Sequence, residues 1–127
     1  MIKDDPEELV RRFITAINSD GDLEDLNEIC LPPLAEEWRA NMEDFAFTER
    51  TFTVDDVVAD GSKVAILWSI AGRHTGEFAG IPPTGKRTSD TGSAFFTLDE
   101  GKIAKLVTHY DAEGLFKQLG ATITPPS

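Results

Sequence analysis

The sequence predicts an α+β domain in which three helices cover one face of a largely antiparallel sheet. Apolar residues recur at helical spacing as far as about Phe47, and at a spacing of two from Phe52 onward. Size is the third observation. A chain of 127 residues makes one domain, 1–127, around a single core.

The elements follow in order. Asp5, Pro6 and Glu8 supply an N-cap, a proline at the first helical position and a capping-box acid, after which Leu9, Val10, Phe13, Ile14 and Ile17 form one apolar stripe. The run Asn18-Ser19-Asp20-Gly21 ends that helix. Asp22 caps a second, short one carrying Leu23, Leu26, Ile29 and Cys30, which Pro32 and Pro33 are expected to terminate. Leu34, Trp38, Met42 and Phe45 continue at helical spacing as a third. Phe52 and Val54 then alternate with threonines, Asp60-Gly61 is a hairpin signal, and Lys63 to Ala71 is a β-rich run containing Trp68. Thr88 to Leu98 and Lys102 to Tyr110 read as two more strands joined by Asp99-Glu100-Gly101. A last helix starts near Asp111 with Leu115, Phe116 and Leu119 on its apolar side, and Gly120 stops it. The tail from Thr124 to Ser127 is expected to be loose. A curved sheet with helices on one side can enclose a pocket.

Charge and composition exclude several classes. Lys and Arg number 12 against 23 Asp and Glu, and the net charge of -11 repels nucleic acid and anionic lipid. No apolar run approaches the roughly 18 to 20 residues of a membrane span. The charged start MIKDDPEELVRR differs from a signal peptide, and the single Cys30 forms no internal disulfide, so a cytoplasmic location is expected. One Cys and two distant histidines, His74 and His109, offer no zinc spacing, so no metal is expected.

The stretch GIPPTGKR, residues 80–87, spells most of a phosphate-binding loop. It fails on chemistry. Pro82 and Pro83 have no N–H to offer an anion, Arg87 stands where a Mg²⁺-binding Ser or Thr is needed, and a strand rather than a helix follows. A proline-stiffened connection between two strands accounts for these residues better.

The stretch from His74 through Gly76, Phe78, Gly80, Pro82, Pro83 and Gly85 to Lys86, then Gly101-Lys102-Ile103, then Asp111-x-x-Gly114-Leu115-x-x-Gln118-Leu119-Gly120, resembles the SnoaL-like polyketide cyclase family in order and spacing. The resemblance runs from about Pro6 to Gly120. It implies a nuclear transport factor 2-like, or cystatin-like, roll: a cone-shaped curved sheet and three N-terminal helices around an apolar pocket, usually in a homodimer. It also implies ring closure or isomerisation in secondary metabolism without cofactor or metal, by intramolecular aldol or lyase-type chemistry, on a small apolar, polycyclic or polyketide-like ligand. The acid/base would be the aspartate matching Asp111. Val107, Glu37 with Trp38, and Phe95 with Thr97 stand where members often carry Trp, a polar His or Asn, and long polar side chains. These departures make the pocket more apolar.

Enolate chemistry needs a base beside the carbonyl and a group that steadies the oxyanion. Asp111 is the candidate base, and an N-cap of the last helix is its alternative role. His109, two residues earlier, would share its face of the strand with Asp111 and Val107, while Tyr110 would point the other way as packing. His74 is expected beside the pocket or holding the loop. Trp38, Phe45, Trp68 and Phe95 are candidates to floor the pocket, plain core being the alternative. An epoxide-opening enzyme would want a second acid across the pocket, for which Glu37 is the candidate. A non-catalytic binding protein for an apolar small molecule is the rival reading.

Overall fold

A computed structural model describes residues 5–121 of the chain. Helix α1 (Pro6–Ile17) opens on Asp5, whose carboxylate accepts the Glu7 N–H at 3.1 Å. Its buried stripe is Leu9, Val10, Phe13, Ile14, Ala16 and Ile17, as the spacing predicts. A 3₁₀ turn (Leu23–Asp25), capped by Asp22, runs into the short α2 (Leu26–Ile29). Pro32 and Pro33 do more than end α2. They occupy the first turn of α3 (Pro32–Glu43), where a missing N–H is no loss and the fixed φ favours entry into a helix.

Four antiparallel strands follow as a meander in the order β1 (Phe47–Asp60), β2 (Lys63–His74), β3 (Arg87–Asp99), β4 (Lys102–Tyr110). Register shifts interrupt the ladder between Thr48 and Thr51, between Val54 and Asp56, and between Thr97 and Leu98. Such bulges bend strands, and here they accompany the curvature of the open sheet. Glu49, at the first of them, adopts a left-handed backbone (φ 48) and lets Arg50 turn inward. The buried Arg50 guanidinium donates to the Ile17 carbonyl (2.8 Å) and the Phe47 carbonyl (3.2 Å) and lies over the Phe45 ring, so α1 ends against a cation.

The two-residue period sorts the sheet into faces. Val64 and Ile66 of β2 and Ala94, Phe96 and Leu98 of β3 face the helices, where they pack with Phe13, Leu26, Ile29 and Met42 as the main core, and the half-buried Trp68 and Ile70 share their face. The other face carries a row Val58–Ala65–Phe95–Val107 across all four strands. Helix α4 (Ala112–Gln118) closes one end of the sheet, burying Leu115 and Leu119 against Ala46 and Phe47.

Candidate active-site cavity

Between the helices and the inner face of the sheet lies a cavity of about 170 Å³. Phe13, Ile14 and Ile17 of α1, Trp38 and Met42 of α3, and Phe45 form one side. The sheet supplies the other through Phe52, Trp68, Ile70, Ala94, Phe96 and Leu106. Trp68 can lie flat over the neighbouring strand because its partner in the register is Gly92. A Cβ there would collide with the Trp68 ring and the His109 carbonyl oxygen. The indole N–H donates to Thr108 Oγ1 at 3.2 Å, and that hydroxyl donates in turn to the Ser93 carbonyl.

Polar groups gather on the inner face of β3 and the end of β4: Thr88, Asp90, Thr108 and Tyr110. Asp90 is the one charged side chain among the cavity-lining residues, and it is only 7% exposed. Burial raises its pKa above the ordinary carboxylate value. An N–H bond from Thr91 opposes that shift, and the nearby negative charge of Asp111 adds to it. The mouth is framed by Tyr110 and Phe78, whose rings stand 6.4 Å apart.

Phe78 comes from the loop that follows β2, and His74 holds that loop. The His74 ring is fully buried, and its Nδ1 accepts the Thr84 N–H at 3.1 Å. A neutral ring therefore carries its proton on Nε2, which has no partner among the described residues. Main-chain bonds from His74 N–H to the Lys86 carbonyl and from Gly85 N–H to the His74 carbonyl fasten the loop's far end. His74 is thus next to the cavity wall, its ring tilted against Phe47 with centroids 5.3 Å apart, and does not line the cavity.

The register separates the remaining candidates. Trp38, Phe45 and Trp68 line the cavity. Phe95 does not: it pairs with Ala65 and Val107 on the outer face, because its neighbour Phe96 takes the inward position. Glu37 is exposed on α3 and is absent from the cavity wall. His109 stands opposite Ser93 on the outer face, and the residue that points inward is Tyr110, contrary to the packing role expected of it. Asp111 does not share a wall with His109. β4 ends at Tyr110, and the chain turns so that Asp111 N–H reaches the Thr91 carbonyl while its carboxylate caps α4 through the Gly114 N–H at 3.0 Å. Gly114 is part of that cap, since a Cβ there would overlap the Asp111 carboxylate. Asp90 and Tyr110 were missed from sequence, although alternation along Thr88, Asp90, Gly92, Ala94 and Phe96 sets Asp90 on the buried face.

Among the described residues, no group of three or more His, Cys, Asp or Glu is placed to hold a metal, and no helix is long and apolar enough to cross a membrane. The cavity's own chemistry is one desolvated carboxyl and one phenol at the polar end of an aromatic chamber. That arrangement suits proton transfer on an apolar molecule.

The family profile described as SnoaL-like polyketide cyclase matches residues 8–119. Comparison with curated proteins finds no match. Among solved structures, TsrD from Streptomyces laurentii superposes with a TM-score of 0.84 at 27% identity, covering 95% of this chain and 98% of that one. IdmH from Streptomyces antibioticus, for which polyketide cyclase activity is proposed, gives 0.75 at 27% identity over 91% of this chain and 99% of its own. AclR from Streptomyces galilaeus, for which hydroxylase activity is proposed, gives 0.78 at 20% identity over 95% and 84%, a likeness of fold alone.

Proposed function

The chain belongs to the SnoaL-like polyketide cyclase family, and from that membership we propose that it is a cyclase-type enzyme that moves a proton with Asp90 inside the aromatic cavity. The observation that carries this reading is the buried Asp90 carboxyl, alone in charge among the cavity-lining residues and raised in pKa by burial. As a carboxylate, Asp90 takes a proton from the carbon beside a substrate carbonyl. The enolate carbon attacks a second carbonyl of the same molecule and forms the ring bond, and the alkoxide recovers its proton from the Asp90 acid. Protons balance, and no co-reactant enters. The Tyr110 phenol, which has no hydrogen-bond partner among the described residues, is the candidate donor to the developing oxyanion. Asp111 acts on the same proton indirectly, since its charge raises the Asp90 pKa while its carboxylate holds α4.

This reading separates from a catalytic Asp111 by substitution. With a substrate found by screening polyketide esters and epoxides, Asp90→Asn is expected to slow turnover by about 10²- to 10⁴-fold. Asp111→Asn keeps the cap and is expected to lose far less, while Asp111→Ala costs about 1 kcal/mol of stability. Unchanged turnover in Asp90→Asn would move the base elsewhere, with Asp111 and then His109 next.

The Asp111 cap favours a second reading, a non-catalytic binding protein using the same cavity. An apolar ligand bound tightly with no ester or epoxide turned over would establish it. Epoxide opening with Glu37 as the second acid has less support, because Glu37 is exposed and away from the cavity.

The homodimer is proposed through the outer face of the sheet. Val58, Leu67, Phe95 and Val107 are 46–68% exposed there, a contiguous apolar surface on a small domain. Asp56 and Asp60 lie at its β1 side and Lys105 and His109 at its β4 side, so a two-fold axis parallel to the strands sets acids against bases.

A further inference from the structure

We infer that the cavity is built for an uncharged molecule of one or two fused rings whose hydroxyl or carbonyl oxygens lie along one edge, rather than for a carboxylate or for three or more rings. The inference rests on the cavity described above, and deepens the proposed function by naming its substrate class.

Size comes first. The space of about 170 Å³ is close to that of an apolar protein cavity of about 150 Å³ that admits benzene, and below the roughly 300–1,000 Å³ of pockets that hold drug-sized ligands. A second fused ring extends from the closed end toward the mouth between Phe78 and Tyr110. A third has to displace that frame, and Phe78 is held there by an edge-to-face contact with Phe47, a tilted contact with Phe116 and its two main-chain bonds with Ile81.

Shape and polarity follow from the walls. The chain has eight Phe, two Trp and one Tyr, and nine of these eleven rings line the cavity, all but Phe95 and Phe116. Flat apolar faces suit a flat apolar ligand. Only one edge of that ligand can be polar. The Thr88 hydroxyl donates to the Gly72 carbonyl and the Thr108 hydroxyl to the Ser93 carbonyl, so the hydrogens left for a ligand at that end belong to Asp90, when protonated, and Tyr110.

Charge completes the argument. No Lys, Arg or His lines the cavity. The nearest buried cation, Arg50, stands behind Phe45 with its guanidinium bonded to the Ile17 and Phe47 carbonyls. A ligand carboxylate would be desolvated beside Asp90, within reach of the Asp111 charge, with no cation to answer it.

The two tryptophans make the test direct, since both line the cavity and the chain has no others. Titration of the ¹⁵N-labelled protein at pH 7 with 2-naphthol, 2-naphthoate and 1-anthrol reads cavity occupancy from the two indole N–H signals. Naphthol is expected to shift both signals with one dissociation constant, while naphthoate and anthrol each bind at least about tenfold more weakly, the equivalent of 1.4 kcal/mol or more. Naphthol that shifts neither signal overturns the inference, and so does naphthoate or anthrol binding as tightly as naphthol. Binding is read without turnover, so the two ideas fail separately. If Asp90→Asn keeps full turnover while naphthol selectivity holds, the catalytic reading falls and the ligand class stands. If naphthoate binds as well as naphthol while Asp90→Asn abolishes turnover, the reverse is true.

Discussion

An aspartate on the apolar face of a strand weakens its fold at neutral pH, because the charged form must be held away from water. Asp90 is such a residue: its folded pKa lies above the usual value of 3.8, so the native state binds more protons than the unfolded chain between those two values. Stability is therefore expected to decline as pH rises through that window and to stay lowered above it. Asp90→Asn keeps an acceptor for the Thr91 N–H and removes the charge. Its melting temperature at pH 7 is expected to exceed that of the unsubstituted protein, with a flatter pH dependence; thermal melts from pH 4 to 8 check both, and an equal or lower value at pH 7 would contradict the account. Gly92→Ala is expected to cost about 1–3 kcal/mol by overpacking, because the added methyl meets the Trp68 ring and the His109 carbonyl; denaturant titration gives the loss and near-ultraviolet dichroism the displaced indole. Trp38 and Trp68 were legible as cavity residues because they are large and apolar in regular elements, and Phe45 because it continues the helical spacing of α3 just past its end. Asp90 was harder to read: alternation puts it in line with Ala94, Phe96 and Leu98, but Phe95 beside Phe96 blurs the parity, and a polar Thr88 and Asp90 resemble a wet face until the register with β2 is known.

The helices and strands were readable from period and caps, but what joins them was not. Pro32 and Pro33 look like terminators in sequence and act as the start of α3, since a proline pair serves equally well after one helix or at the head of the next. The Asp111 motif shows the same ambiguity: Asp111 and Gly114 make the cap, Leu115 and Leu119 the buried side, and Gln118 exchanges hydrogen bonds with the main chain of Ser89 where β4 no longer covers β3. Much of that motif secures a helix. The loop after β2 depends comparably on His74. His74→Ala removes the Thr84 anchor and a buried ring, a loss of about 3 kcal/mol by analogy with emptying a buried aromatic site. Trypsin cleavage at Lys86 or Arg87 is expected to accelerate in that variant under native conditions. Cleavage no faster than in the parent protein would show that the main-chain bonds suffice.

At the scale of the whole molecule the sheet has two apolar faces, one covered by helices and one by the proposed second copy. Leu67→Glu is placed on the outer face, with its side chain 54% exposed, so it is expected to leave the fold intact and convert the dimer to a monomer of 13.9 kDa at micromolar concentration. Sedimentation equilibrium distinguishes the two masses, and a parent protein that is already monomeric would remove the proposal. The inner face has its own reporter. Cys30 is buried at the seam where the chain leaving α2 bridges to Ile103 of β4, and the Leu31 N–H bonds the Ile103 carbonyl at 2.9 Å. Burial pushes its thiol up to about 12, so at neutral pH it is neither ionised nor reachable while the seam is closed. A thiol reagent would then react only during the moments when helices and sheet part, and its labelling rate would serve as a clock for that opening, counted by the chain's one sulfhydryl.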